Sequence, residues 1–218
     1  MGMTTYEGGS AYVLLNPTYK KAVVIIQEWW GINNHMKTMA NRFAAEGFQA
    51  VVPDLYHGKV ATDADEATHL MSNLDWPGAI KEIQAAVNYL RSQGATQVFV
   101  TGYCMGGALA AASGVLVRGI EAIAPFYGTP PSSLCDLAQT KVPVESHFAG
   151  KDDHKGFSDP EAAKAYDAKL ETAGVYHKLY MYEKADHAFM NETRPEVFDK
   201  QCSDLAFSRV VEFFNQYA

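Results

Sequence analysis

The sequence of 218 residues predicts an α/β fold with a mostly parallel central sheet and helices on both faces. Short apolar runs rich in Val, Ile and Phe alternate along the chain with longer segments of helical periodicity. Runs such as Ala22–Ile26 and Val98–Thr101 are apolar at nearly every position, which is typical of strands buried on both faces of a parallel sheet. No repeat, low-complexity tract or linker-like segment interrupts the pattern, so we predict a single domain over residues 1–218.

Seven strands are predicted from β-branched and aromatic runs that end at turn residues. An Asn16-Pro17 turn separates the first two strands, and Pro53 closes the third. The predicted strands are Tyr12–Leu15, Ala22–Ile26, Phe48–Val52, Val98–Thr101, Ile120–Ala124, Val142–Ala149 and Val175–Tyr182.

Six helices are predicted between or after these strands, each with recognisable end signals. Gly47 follows the first helix, Asp75 is a candidate cap for the third, and Gly94 lies just past its end. Pro160 stands near the start of the fifth helix and Gly174 after its end. The predicted helices are Asn34–Glu46, Asp63–Ser72, Gly78–Gln93, Met105–Ala112, Ser158–Ala173 and Glu196–Tyr217.

Composition narrows the class of partner. The formal net charge is −7, and the 18 basic residues form no cluster, which argues against binding to nucleic acid or an anionic membrane surface. No apolar run approaches the length of a transmembrane helix, and the N-terminal segment MGMTTYEGG lacks the features of a secretory signal. Three cysteines at irregular spacing fit neither a disulfide framework nor a zinc site. We therefore expect a cytoplasmic monomer or weak homo-oligomer that acts on a small molecule.

The segment "VFVTGYCMGGALA", Val98–Ala110, carries the clearest chemical signal. It places Cys104 on a turn between a predicted strand and a predicted helix, with glycines before and after it. The pattern G-x-C-x-G is that of a nucleophile elbow, G-x-S-x-G, with sulfur in place of oxygen. A helix N-terminus favours the thiolate form, so Cys104 is the candidate nucleophile. The alternative is a small buried apolar residue, which free cysteines often are.

A thiol nucleophile needs a base and a group that orients the base. His187 follows the predicted strand Val175–Tyr182 and therefore comes out at the same edge of the sheet as Cys104. Two adjacent carboxylates, Asp152 and Asp153, follow the strand Val142–Ala149, and chemistry alone does not choose between them. The chain order nucleophile, acid, histidine is that of α/β-hydrolases.

Glu28 is a further candidate for proton transfer. It follows an apolar strand and precedes Trp29 and Trp30, so its carboxylate would be partly desolvated and able to accept a proton near neutrality. An exposed loop glutamate is the alternative. In elbow enzymes, the oxyanion is held by the amide after the nucleophile and by one from a loop after an early strand, here the N–H groups of Met105 and Trp29.

The chain resembles the dienelactone hydrolase family of cysteine-dependent α/β-hydrolases along nearly its whole length. The resemblance rests on the blocks "VVIIQEWWGIN", "VVPDLYHG", "TGYCMGGALA", "FYG", "HFAGKDD" and "YEKADHAF". It implies Cys104 as nucleophile, Asp152 as the orienting acid and His187 as base, and it implies that Glu28 contacts the resting thiol and helps to deprotonate it. The implied activity is hydrolysis of carboxylic esters or lactones through a thioester acyl-enzyme.

The sequence departs from the family at the arginines that bind an anionic lactone. Asn191 stands four residues after His187, and the segment from Thr62 to Pro77 contains no Arg or Lys. Lys59 and Arg194 lie near these positions without matching them, and the alternative is that either one reaches the pocket from a loop and replaces the family's arginines. We therefore predict a mostly uncharged pocket and a preference for neutral esters. The predicted substrate-binding residues are Trp30, Tyr103, Tyr127, Phe189 and Asn191.

Other functions fit the same residues. A soft thiolate could attack a thioester or a phosphotriester, which changes the electrophile and keeps the site. A different class is a non-catalytic small-molecule binder or a thiol sensor, although neither Cys135 nor Cys202 occupies a motif position near Cys104. No metal or organic cofactor is expected, because the sequence has no H-E-x-x-H, paired C-x-x-C or glycine-rich phosphate loop.

Overall fold

The computed structural model describes all residues from Met1 to Ala218 as one eight-stranded sheet flanked by six α-helices. The strands are β1 (Gly2–Tyr6), β2 (Gly9–Leu14), β3 (Lys21–Ile26), β4 (Phe48–Pro53), β5 (Gln97–Tyr103), β6 (Ile123–Phe126), β7 (Val144–Ala149) and β8 (His177–Tyr182). The helices are α1 (Asn34–Ala45), α2 (Ala64–Ser72), α3 (Trp76–Ser92), α4 (Met105–Leu116), α5 (Pro160–Ala173) and α6 (Lys200–Gln216).

The sheet is mostly parallel. Its strand order is β1-β2-β4-β3-β5-β6-β7-β8, and the six strands from β4 to β8 in this order are joined by parallel pairings. Only the pairings of β1 with β2 and of β2 with β4 are antiparallel. Because the strands from β3 onward run in the same direction, their carboxyl ends meet at one edge of the sheet, where loops can bring functional side chains together. The predicted α/β fold is confirmed.

The helices cover both faces of this sheet. Phe99 of β5 stacks on Phe214 of α6, and Phe43 of α1 contacts both Phe207 and Phe214, so α1 and α6 share one face. Helices α3 and α4 contact each other and the central strands on the opposite face. The resulting core is continuous and includes all of the central strands. None of the helices has the combination of length and apolar composition needed to cross a bilayer.

Among the differences from the predicted elements, one missed strand and two shifted elements have clear local reasons. The first strand, Gly2–Tyr6, was not predicted because it is an edge strand whose alternate residues are exposed. Strand β6 is Ile123–Phe126 instead of Ile120–Ala124, since Ile123 pairs with Val100 of the neighbouring strand. Helix α6 begins at Lys200 instead of Glu196, because Asp199 is its cap and accepts a hydrogen bond from the Cys202 N–H at 2.9 Å.

The start of α4 is pressed tightly between two strands. A Cβ at Gly106 would overlap the carbonyl oxygen of Ile26, and a Cβ at Gly107 would overlap the carbonyl oxygen of Phe126. These close approaches explain why the second and third residues after Cys104 are glycines. They also bring the turn at Cys104 beside the loop that follows β3.

Candidate active site

Cys104 occupies the turn between β5 and α4 in a strained backbone conformation. Its φ is 59° and its ψ is −117°, a region that residues with a side chain rarely adopt. The turn is held on both sides, because the Cys104 N–H donates to the Phe126 carbonyl at 3.2 Å and its carbonyl accepts from the Ala108 N–H at 3.0 Å. The side chain lines a cavity at the edge of the sheet, and the residue is 7% exposed.

A carboxylate–imidazole pair lies at the same cavity. The Nδ1 of His187, in the loop after β8, is 2.5 Å from Oδ2 of Asp152, in the loop after β7. The other oxygen of Asp152 accepts hydrogen bonds from the backbone N–H and the ring of His154, at 3.0 and 2.7 Å. Asp152 is buried, whereas the side chain of Asp153 is 95% exposed. Of the two adjacent carboxylates, the structure therefore brings Asp152 to the imidazole.

The two members of this pair shift each other's protonation. Burial would raise the pKa of Asp152, but hydrogen bonds and the charge of His187 outweigh it and lower that pKa to about 2. Burial would likewise lower the pKa of His187, but Cys104 and Asp152 together raise it to about 10. The site thus favours an ionised Asp152 and a protonated imidazole.

The lowered pKa of Asp152 predicts an acid-dependent contribution to stability. Because the folded pKa of about 2 lies below the usual value of 3.8, the carboxylate stabilises the fold above about pH 4, and this contribution is lost as the pH falls towards 2. A shift of this size corresponds to about 2 kcal/mol. The raised pKa of His187 lies far above the acid range, so this imidazole stays protonated during acid titration. The change in stability between pH 4 and 2 therefore reports on Asp152.

We expect urea unfolding near neutrality to give a higher free energy of unfolding for wild type than for Asp152→Asn. This difference should shrink by about 2 kcal/mol as the pH falls to about 2. Asp153→Asn is the matched control, since its exposed side chain should leave the pH dependence unchanged. A constant difference across the acid range would contradict the assignment.

The cavity has a volume of about 620 Å³, a size typical of small-molecule sites. Trp29 and Trp30, from the loop after β3, supply large apolar surfaces. Several lining residues had no signal in the sequence, because it does not show which side chains of helix α2 and of the loops after β7 and β8 face a cavity. These residues are Met71, Phe157, Ala188 and Val197.

Four predicted substrate-binding residues do not line the cavity. Tyr103, Tyr127, Phe189 and Asn191 are almost fully buried, and of the five residues predicted for the pocket only Trp30 is on its wall. All four lie at or just beyond the carboxyl ends of strands, where position in the sequence does not reveal whether a side chain faces the cavity or the core. They support the site from beneath instead: the Tyr127 ring lies 5.0 Å from that of His187.

The prediction of a mostly uncharged pocket was also wrong. Lys151, Lys155 and Arg194 all line the cavity, whereas Lys59 does not. The Arg194 guanidinium lies over the Trp30 ring, 5.8 Å from its centroid, and donates to Glu196 at 2.9 Å. The lining also includes carboxylates, so the pocket is charged with both signs, and an uncharged wall is no longer a reason to expect a preference for neutral esters. Of the two alternatives that the sequence left open, Arg194 reaches the cavity; Lys151 and Lys155 were missed because the sequence does not define the path of their loop.

Glu28 is buried at the inner end of the cavity. It is 1% exposed, and its Oε2 accepts a hydrogen bond from the Asn191 side chain at 2.8 Å, while its Oε1 has no partner. The predicted oxyanion amides are available: Met105 is the first residue of α4, so its N–H has no acceptor within the helix, and the Trp29 N–H makes no hydrogen bond within the protein.

A metal could in principle use part of this site, since Asp152, His154 and His187 present ligand atoms within 4.8 Å of one another. However, the Nδ1 atoms of both imidazoles are already hydrogen-bonded to Asp152, at 2.7 and 2.5 Å. The arrangement satisfies these three groups through protons, as in a nucleophile–histidine–acid site.

Comparison with known proteins relates this chain to one family. The model of the dienelactone hydrolase family matches residues 10–218. The chain is 35% identical to protein usf of Aquifex pyrophilus, with 89% of this chain and 87% of that protein covered, and 26% identical to a carboxymethylenebutenolidase of Pseudomonas putida, with 98% and 94% covered. It superposes on a dienelactone hydrolase-like promiscuous phosphotriesterase from metagenomic libraries with a TM-score of 0.81, at 20% identity and with 99% and 97% covered.

A mostly parallel sheet with an elbow after β5, an acid after β7 and a histidine after β8 defines an α/β-hydrolase fold. Within that class, the chain belongs to the dienelactone hydrolase family. The resemblance inferred from the sequence motifs is confirmed.

Proposed function

We propose that the protein hydrolyses carboxylic esters or lactones through a thioester on Cys104. The observation that carries this proposal is the strained cysteine elbow facing the same cavity as the hydrogen-bonded Asp152–His187 pair. A nucleophile, a base and an orienting acid are thus held together before substrate binds, which is what covalent acyl transfer requires.

In the first half of the reaction, the thiol proton passes to Glu28, and the Cys104 sulfur attacks the carbonyl carbon. The oxygen, now negative, receives hydrogen bonds from the amides of Trp29 and Met105. His187, protonated and oriented by Asp152, donates its proton to the leaving alcohol, and the carbon–oxygen bond breaks to give the thioester.

In the second half, His187 accepts a proton from water, which attacks the thioester carbonyl. The carbon–sulfur bond breaks, the carboxylic acid leaves, and the sulfur recovers its proton. The ionised Asp152 stabilises the imidazolium in both halves, which the raised pKa of His187 supports.

Stoichiometric alkylation tests the proposal. One equivalent of iodoacetamide should abolish turnover of p-nitrophenyl acetate, and saturating ester should slow this inactivation, because the thiol and the ester occupy the same cavity. Full turnover after Cys104 is shown to be alkylated would refute the proposal. Thioester and phosphotriester substrates in the same assay test whether the thiol prefers another electrophile.

Arg194 is expected to favour substrates that carry a carboxylate. Its guanidinium lines the cavity and is only partly engaged, because its partner Glu196 is 60% exposed. We expect Arg194→Ala to lower kcat/KM for a carboxylate-bearing ester by about five- to tenfold and to change a neutral ester of similar shape by less than about twofold. Lys59→Ala, outside the cavity, is the control. Equal losses for both substrates would contradict a charge-specific role.

A further inference from the structure

A buried imidazole lies beside Glu28. His35 is the second residue of α1 and is completely buried. Its Nε2 lies 4.0 Å from Oε1 of Glu28, and its Nδ1 lies 2.7 Å from Oε2 of Glu192. The Glu192 side chain is 31% exposed. The three side chains therefore form a continuous line from the cavity to the surface of the protein.

The two atoms that face each other at the inner end of this line are both unsatisfied. Glu28 Oε1 and His35 Nε2 are buried and have no hydrogen-bond partner. Buried polar atoms without partners are rare, because they lose their hydration without compensation. The 4.0 Å gap exceeds a hydrogen bond by only about 1 Å, so a small rotation of the carboxylate closes it. A proton on either atom would then complete a hydrogen bond.

At the protein surface, Glu192 can stabilise a positive charge on the His35 imidazole. Burial would raise the pKa of Glu192, but its hydrogen bond with His35 and the charge of His35 lower it. An ionised Glu192 accepts from Nδ1–H, which directs Nε2 at Glu28. This is how a carboxylate orients the base in a catalytic triad.

The other titratable groups around this line do not compete for its proton. The Tyr103 ring packs against His35, and Tyr127 lies in the field of Glu28; burial raises the pKa of both phenols, so both are neutral. Arg42, further along α1, is engaged with Ser203 and Asp204. Glu28 and Glu192 are therefore the carboxylates that act on His35.

We propose that His35 and Glu192 form a proton relay that takes the proton of the Cys104 thiol from Glu28. The inference rests on the proposed function, in which Glu28 receives that proton. The S–H bond breaks and an O–H bond forms on Glu28. That proton then moves to His35 Nε2 and stays there, on an imidazolium whose Nδ1–H donates to the ionised Glu192. The reverse sequence restores the thiol, so no electrons and no further reactant are needed.

The relay makes His35 and Glu192 positioning residues with a measurable effect on the thiol. When the proton can move on to an imidazole stabilised by Glu192, the thiolate forms at a lower pH than with Glu28 alone. Loss of either residue should therefore shift thiolate formation to higher pH. Without a relay, electrostatics alone predicts that loss of Glu192 moves thiolate formation to lower pH, because removal of a negative charge stabilises a nearby thiolate.

The test is the rate of Cys104 alkylation by iodoacetamide as a function of pH. We expect Glu192→Gln and His35→Phe to move the midpoint of this profile upward by about half a pH unit or more. Glu171→Gln is the matched control: Glu171 contacts His177 at 2.9 Å, but this pair lies at the opposite end of the strands, where β8 begins. Its profile should coincide with that of the wild type.

The same measurement in a Glu28→Gln background shows whether the effect passes through Glu28. There, Glu192→Gln should add no further shift. An unchanged or lowered midpoint in Glu192→Gln, or an equal shift in the Glu28→Gln background, would overturn the relay. If His35→Phe does not fold, Glu192→Gln still tests the relay, because a partly exposed side chain tolerates this substitution. The alkylation profile needs no ester substrate, so failure of the relay and failure of the proposed hydrolysis are separate results.

Discussion

Cys104→Ala is expected to lower kcat/KM for p-nitrophenyl acetate by about 10⁴-fold or more, because no other nucleophile faces the cavity in a strained turn of this kind. Substitution by serine should also reduce turnover, by about tenfold to a thousandfold, since a hydroxyl depends more strongly on its base than a thiol does. Steady-state kinetics on the purified variants, with circular dichroism to establish folding, measures both effects.

Cys202→Ala is the control for this prediction. Cys202 lies on α6, is partly exposed and is not part of the cavity, so its replacement should leave kinetics unchanged. A folded Cys104→Ala variant that keeps most of its activity would contradict covalent catalysis by this residue.

Asp152→Asn is expected to reduce kcat by about 10³- to 10⁴-fold. The buried carboxylate accepts a hydrogen bond from His187 Nδ1, which directs Nε2 towards the reacting groups, and it supports the imidazolium. An amide at this position can donate to Nδ1 and favour the wrong tautomer. The pH–rate profile should change as well, because the pKa of His187 falls when the neighbouring negative charge is lost.

Asp153→Asn provides a matched control one residue away. Its side chain is at the cavity rim, is almost fully exposed and makes no hydrogen bond or ion pair with His187, so we expect a change of less than about twofold. Equal losses in the two variants would contradict the assignment of the orienting acid to Asp152.

The sequence was most informative where a local pattern has one structural meaning. The glycines around Cys104 predicted the elbow because only residues without a Cβ allow α4 to approach the backbones of β3 and β6 so closely. The apolar runs predicted the parallel strands for a similar reason, since strands buried on both faces tolerate few polar residues.

The parts that escaped prediction depend on where side chains point and how loops run. Asp152 and Asp153 are adjacent and chemically identical, and only the turn after β7 buries one and exposes the other. Tyr127 was expected in the pocket, yet it lies beneath His187. Arg194 reaches the cavity through a loop with no regular structure.

His35 shows the same limit for a buried polar residue. His35 belongs to no motif, and nothing in its neighbours along the chain indicates Glu28 or Glu192 as partners. Glu192 is 157 residues away in sequence, and only the fold brings the two together.

The central claim is that Cys104 carries the acyl group during turnover. Its most direct test is acid quenching of the enzyme during turnover of p-nitrophenyl acetate, followed by mass spectrometry of the peptide that contains Cys104. We predict an acetyl group on Cys104, at higher occupancy in Asp152→Asn if deacylation is slowed more than acylation, and its absence in Cys104→Ala. An acetyl group on another residue, with Cys104 unmodified during turnover, would contradict the account.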